Sequence, residues 1–248
     1  MQQPAILARA GGATIAYHHS PGKGPGVLFC GGFKSDMTGT KATMLDTFCH
    51  GRGQQYTRFD YQGHGASSGA FEDGTIGQWR DDMLAVFEEV TDGPQIVVGS
   101  SMGGWMALLL ALMRRERVAG LVLVAPAADF TTELLWKGLT PDARAQIERD
   151  GVWLRPSIYD DGPYPITRNL IEESREHLVL GHPIAYDGPV RILHGLRDEA
   201  IPVEHVLRTV EAITSDDVEV TLVKNGDHRL STPADLDKIR AAVDELSR

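Results

Sequence analysis

Ser101, Asp198 and His228 are residue types suited to acyl transfer, and each follows closely on an apolar, strand-like run. A serine hydroxyl is a weak nucleophile near neutral pH. It needs a base to take its proton and a third group to hold that base. Ser101 lies within Gly99-Ser100-Ser101-Met102-Gly103-Gly104, between the β-branched run Gln95-Ile96-Val97-Val98 and the apolar, helix-forming stretch from Trp105 to Met113. A strand that ends in a serine and turns directly into a helix is a nucleophile elbow, and so tight a turn requires small residues two before and two after the serine. Gly99 and Gly103 satisfy that demand for Ser101, whereas Ser100 would be flanked by Val98 and Met102. Ser101 is therefore the expected nucleophile.

The partners follow downstream. Asp198 comes just after the run Val190-Arg191-Ile192-Leu193-His194, and His228 just after Val218-Glu219-Val220-Thr221-Leu222-Val223. Each residue alone has an ordinary reading: Asp198 as a cap before Ile201-Pro202, His228 as a surface turn residue. Together they supply base and acid in the chain order serine, aspartate, histidine. Asp227 is a rival acid, but side chains of adjacent residues point apart. Of the other histidines, His64 reads as a loop residue near the site and His194 as buried and hydrogen-bonded. His18 and His19 read as surface residues, and His177 and His182 as facing an insertion described below. Acyl transfer also needs donors for the oxyanion of the tetrahedral intermediate. The Met102 N–H is expected to supply one, and the Phe33 N–H, in the loop Cys30-Gly31-Gly32-Phe33, the other. Phe33, Met37, Met102, Trp136 and Trp153 are candidate walls of an apolar acyl pocket.

These residues have to be held by elements that alternate strand and helix, which predicts an α/β fold whose largely parallel sheet is covered by helices on both faces. Eight strands are readable. Ala5–Ala10 and Ala13–His18 form a predicted hairpin around Gly11-Gly12, followed by Gly26–Cys30, Gln55–Asp60, Gln95–Val98, Val118–Pro126, Val190–His194 and Val218–Val223. Helices are expected around Lys41–His50, Ile76–Val90, Trp105–Met113, after Pro202, and from Thr232 or Pro233 to the end. Residues 1–248 are read as one domain. Periodicity degrades from about Ala128 to Gly188, a stretch rich in aromatic residues and prolines that includes Pro156, Tyr159, Pro163 and Pro165. It is expected to be a mixed helical and irregular lid insertion.

The chain has 248 residues and a formal net charge of −10, which argues against nucleic acid or an anionic bilayer as a partner. The cations of Arg114-Arg115-Glu116-Arg117 read as the solvated end of the preceding helix. No run approaches the roughly 20 apolar residues of a membrane span, so no stable membrane insertion is expected. The start, Met1-Gln2-Gln3-Pro4-Ala5-Ile6-Leu7, shows neither a basic nor an apolar block, so a cytoplasmic location is the expectation. Cys30 and Cys49 are too few for a disulfide framework and have no metal-ligand spacing, and Cys30 reads as a small buried hydrophobe. The expected chemistry requires no metal and no organic cofactor.

These features resemble the α/β-hydrolase superfamily over essentially the whole chain. A narrower likeness rests on Gly32-Phe33-Lys34-Ser35-Asp36-Met37-Thr38-Gly39-Thr40-Lys41-Ala42, Arg58-Phe59-Asp60-Tyr61, Asp92-Gly93-Pro94-Gln95-Ile96, the Gly99-Ser100-Ser101 elbow, Gly151-Val152-Trp153, Pro156-Ser157 and Asp227-His228-Arg229. These segments are similar to the family of the mitochondrial α/β-hydrolase domain-containing protein ten and its bacterial relatives. That resemblance implies acyl-protein thioesterase and acyl-glucuronide esterase activity, with an S-acylated protein or a small acyl ester or thioester as substrate. Gly31 departs from the histidine that many superfamily members carry at this place in the oxyanion loop. No transit peptide is visible, so the organelle of the animal proteins does not carry over. A serine peptidase of the same fold, and a non-catalytic ligand receptor or scaffold that retains the three residues, are the alternatives. Dehalogenase and epoxide hydrolase chemistry is disfavoured, since those relatives place an aspartate where Ser101 stands.

Overall fold

A computed structural model describes residues 3–156 and 162–248. Ser157 and Tyr159 of the expected insertion, and Met1 and Gln2, lie outside the described residues. The strands are β1 (Ala5–Ala8), β2 (Thr14–Ser20), β3 (Lys23–Cys30), β4 (Gln54–Phe59), β5 (Gln95–Ser100), β6 (Val118–Val124), β7 (Val152–Arg155), β8 (Tyr164–Thr167), β9 (Val190–Gly195) and β10 (Val218–Val223). The helices are α1 (Thr40–Gly51), α2 (Ile76–Glu89), α3 (Met102–Met113), α4 (Pro141–Asp150), α5 (Arg168–Ser174), α6 (Val203–Ala212) and α7 (Pro233–Leu246). Eight strands form one sheet in the order β1-β2-β4-β3-β5-β6-β9-β10. Only β2 runs against its neighbours in that sheet; the pairs from β4 to β10 are all parallel.

Parallel central strands are buried on both faces, which explains why they read as unbroken apolar runs. Their side chains alternate between two cores. Leu28, Cys30, Val97, Leu121 and Leu123 join the helices α2, α3 and α6 on one face. Val27, Phe29, Ile96, Val98, Val122 and Val124 join α1 and α7 on the other. The helix α3 is enclosed, with Met102 through Ala111 buried, so its apolarity on all sides reflects its position against the sheet. Thr75 caps α2 through the Gln78 N–H, and Thr232 and Asp235 cap α7 reciprocally, which fixes where the chain leaves the site-bearing loops. At the far end of α3, Arg114 and Arg117 pair with Glu88.

The stretch between β6 and β9 differs from the expectation of helix and irregular loop. A π-helical turn over Thr131–Trp136 and α4 are followed by the antiparallel hairpin β7–β8. Two four-residue strands, one of them containing Pro165, are too short to register as periodicity. Leu135, Leu139, Ala143, Ile147, Ile166 and Ile171 form a separate small core there. Farther on, Val179, Ile184 and Tyr186 pack into the core of the main sheet. The part with its own core is therefore narrower than Ala128 to Gly188, because the last part of that range, which is not helical, packs into the core of the main sheet. Among the described residues no helix is long and apolar enough to cross a membrane.

Candidate active site

Parallel strands bring their C-terminal ends to one edge, and loops from four of them converge there. Ser101 directly follows β5 and enters α3 with φ 55° and ψ −118°, a conformation that costs a non-glycine residue of order 1–3 kcal/mol. The elbow is closed tightly. A side chain at Gly99 would overlap the Gly103 carbonyl, and one at Gly103 would overlap the Cys30 carbonyl. Serine at a helix start ordinarily caps a backbone N–H, but Ser101 makes no such bond. Its hydroxyl instead meets His228 Nε2 at 3.1 Å, and His228 Nδ1 lies 2.7 Å from Asp198 Oδ2.

Asp198 has a fully buried side chain, and its other oxygen, Oδ1, accepts the N–H groups of Ala200 (2.8 Å) and Ile201 (2.9 Å). Burial alone would raise its pKa, but the bond to His228 and these amides outweigh burial and hold the carboxyl below its ordinary value. The loops carrying Asp198 and His228 are stitched together by Arg197 N–H donating to the Gly226 carbonyl at 2.9 Å. Asp227 turns away and accepts from the Arg229 and Leu230 N–H groups, which removes it as the acid partner of His228.

The expected oxyanion donors belong to the elbow itself and to the loop that follows β3. Met102 is the first residue of α3 and has no carbonyl four residues back within the helix. The loop holding Phe33 presses on the elbow, since a Cβ at Gly32 would meet the Ser100 oxygen at 3.3 Å and the Ser101 Cβ at 3.4 Å. A Cβ at Gly31 would meet nothing within 4 Å, yet the loop is braced without a side chain there. Ser35 N–H donates to the Gly32 carbonyl, Met37 N–H to Asp60 Oδ1 at 2.6 Å, and Lys34 N–H to His64 Nε2 at 3.1 Å. Lys34, Ser101, Ala125, Asp129 and Leu230 are the non-glycine residues with positive φ among the described residues. Three of them, Lys34, Ser101 and Leu230, follow or belong to the loops that carry the expected oxyanion donors, the hydroxyl and the imidazole.

A cavity of about 440 Å³ opens onto Ser101 and His228, within the range of small-molecule sites. Phe33, Met102, Phe130, Leu134, Tyr164 and Ile201 give it apolar walls, and Lys34, Lys41, Arg155, Arg229 and Glu199 place charges around it. Met37, Trp136 and Trp153 do not line it, which corrects the sequence expectation. Met37 is buried beneath the oxyanion loop, and the two tryptophans pack on the small core between β6 and β9, Trp136 with the Arg144 guanidinium over its ring. A large side chain announces burial without naming the wall it faces.

Among the other histidines, His194 departs from expectation in its bonding. His194 is fully buried, but neither ring nitrogen is hydrogen-bonded among the described residues; Asp198 Oδ2 lies 3.9 Å away. Neither His18 nor His19 is fully exposed, and His19 lies 2.9 Å from the Thr57 hydroxyl. His177 meets Glu173, within the expected insertion, and Arg80 of α2. His182 is exposed. Sequence reasoning missed Asp60 and His64 as supports of the oxyanion loop; the available signal was their position directly after β4, at the same sheet edge. Among the described residues no group of three or more histidine, cysteine, aspartate or glutamate side chains could hold a metal.

This sheet order and a serine elbow with its imidazole and carboxylate define the class of α/β-hydrolases. Residues 26–157 match the family described as Serine aminopeptidase, S33. The bovine mitochondrial palmitoyl-protein thioesterase ABHD10 is 40% identical over 243 residues, covering 97% of this chain and 79% of its own length. The mouse α/β-hydrolase domain-containing protein 10 superposes with a TM-score of 0.92 at 39% identity, over 99% of this chain and 98% of the mouse one. A protein from Agrobacterium vitis S4 described as a hydrolase superposes at 0.94 with 40% identity, over 99% and 98% of the two chains. The chain belongs to the ABHD10 family of α/β-hydrolases.

Proposed function

We propose that the protein hydrolyses acyl thioesters and esters through Ser101, His228 and Asp198, with Phe33 and Met102 as oxyanion donors. The observation that carries this reading is the unbroken relay from the Ser101 hydroxyl through both nitrogens of His228 to Asp198. His228 Nε2 takes the hydroxyl proton as Oγ attacks the acyl carbonyl, and Asp198 holds the Nδ1–H tautomer and faces the imidazolium that forms. The tetrahedral oxyanion accepts the two backbone N–H groups. As the intermediate collapses, the carbon–sulfur or carbon–oxygen bond breaks and His228 gives its proton to the leaving thiol or alcohol. Water, deprotonated by the same imidazole, then attacks the acyl-serine, releases the acid and returns the proton to Ser101. The apolar walls suit an acyl chain, and the name of the bovine relative supports an S-acylated protein as one source of it.

An aminopeptidase reading is less well supported. Its substrate carries an α-ammonium group, and among the described lining residues Lys34, Lys41, Arg155 and Arg229 oppose a cation against the carboxylate of Glu199. A non-catalytic receptor has no use for the relay. A fluorophosphonate probe tests the reading: Ser101 becomes labelled in the native protein and Ser101→Ala does not. Absence of labelling, or equal labelling of the variant, overturns it. A series of p-nitrophenyl esters beside matching acyl thioesters then reads the acyl length. A flat, feeble response to all of them refutes a long-chain thioesterase while leaving the relay intact.

A further inference from the structure

The turn after β4 carries a buried histidine for which the hydrolytic relay has no use. His64 is 4% exposed and packed edge-on against the rings of Tyr61, Phe71 and Trp79 at centroid distances of 5.7, 5.2 and 5.2 Å. Its Nδ1 lies 3.2 Å from the Gln62 carbonyl and its Nε2 3.1 Å from the Lys34 N–H. A carbonyl can only accept and an amide can only donate, so these neighbours require the proton on Nδ1 and a lone pair at Nε2. Burial lowers the pKa to about 4, which keeps the ring in that neutral form near pH 7.

The peptide it holds is the one that joins Phe33 to Lys34. Lys34 has φ 59°, an arrangement that persists only when its surroundings enforce it. Phe33 is gripped from the other side as well, because its ring meets Phe71 and Trp79 at 4.9 and 5.7 Å, the same two rings that enclose His64. One aromatic cluster thus fixes the Phe33 side chain and, through the imidazole, the backbone immediately after it.

We propose that His64 is a positioning residue of the oxyanion hole, fixing the Lys34 amide so that the Phe33 N–H points at the developing oxyanion. The inference rests on the reading above in which Phe33 is a donor. The histidine comes from a different strand end than the loop it braces, and it does the bracing where Gly31 supplies no side chain. It is not among the residues that line the cavity at Ser101.

The experiment compares two replacements of similar bulk. His64→Gln keeps an acceptor in reach of the Lys34 N–H, and His64→Leu fills the space without one; His64→Met replaces the leucine variant should that variant not fold. The apolar variant is expected to lose about 10- to 100-fold in kcat with KM changed less than about 2-fold, as for a displaced oxyanion donor. It also loses a similar factor in affinity for an acyl trifluoromethyl ketone, whose hemiketal places an oxyanion in the hole, and His64→Gln recovers most of both. Equal losses in the glutamine and apolar variants, an unchanged kcat, or a loss confined to KM overturns the proposal. Fluorophosphonate labelling of the wild type separates the two readings. A labelled wild type beside an indifferent apolar variant removes the role of His64 alone, and an unlabelled wild type removes the hydrolytic reading itself.

Discussion

Burial of His64 makes folding stability depend on pH in a way that can be isolated. The imidazole has an ordinary pKa of 6.5 and is lowered in the fold to about 4, first by burial, with the Gln62 carbonyl and Asp36 opposing the shift. Between those values the unfolded chain binds a proton that the folded chain does not. The full contribution is therefore present above pH 6.5, falls as pH drops toward 4, and is lost below it. At 1.36 kcal/mol for each pH unit, the gap corresponds to about 3 kcal/mol. Other buried acids and histidines titrate over the same range, so the informative quantity is the difference between the wild type and His64→Gln. Urea unfolding at pH 7.5, 6.5, 5.5 and 4, followed by tryptophan fluorescence, measures it. The wild type is expected to lose about 3 kcal/mol relative to the variant across the series, a relative midpoint shift of about 1 M for an m-value of about 3 kcal/mol/M. A difference that stays constant within about 0.5 kcal/mol refutes the reasoning, because His64 would then take up its proton equally well in both states.

Asp198→Asn keeps the shape of the acid but forfeits the tautomer control of His228, and kcat is expected to fall by about 10³- to 10⁴-fold; steady-state kinetics on a p-nitrophenyl ester check this. Asp129 accepts the N–H groups of Val179 and Leu180 with both carboxylate oxygens, where the chain rejoins the main core. Asp129→Ala leaves the buried Val179 N–H and the half-buried Leu180 N–H without their partner, and chemical unfolding should record a loss of about 2–4 kcal/mol. Burial pushes the thiols of Cys30 and Cys49 up to about 12, so Ellman's reagent should find no fast-reacting thiol in the native protein and two after unfolding.

The parts of the fold that could be read in the sequence are those where one local cause dominates. Strands covered on both faces carry unbroken β-branched runs, and the elbow demands glycine at Gly99 and Gly103 whatever else surrounds it. Ser101, Asp198 and His228 were accessible for a similar reason: each stands within five residues of a strand that ends on the same edge. The cavity walls were not accessible. Phe130 and Leu134 line it while Trp136, on the same turn, does not, and that choice depends on how the turn is rotated over the sheet. The support from His64 to Lys34 joins residues 30 apart in the chain, and no periodicity encodes a contact between two loops. The hairpin β7–β8 escaped notice because its strands are brief and Pro165 sits inside one of them.

Cys30 and Gly99 pair directly across β3 and β5, and Phe33 and Met102 each stand three residues beyond that rung. The spacing of the two donors is thus dimensioned from a common datum in the sheet. One residue inserted or deleted between the datum and either donor would displace an N–H by about 3 Å, far outside the roughly 0.5 Å that a preorganised site tolerates. The described residues between β6 and α5 supply none of the chain between that rung and either proposed donor. Among them, the Tyr164 ring lies 5.9 Å from that of Phe33, so a graft that changes selectivity for the acyl chain has to keep a ring there, while the arithmetic of chain length around the proposed oxyanion hole stays closed.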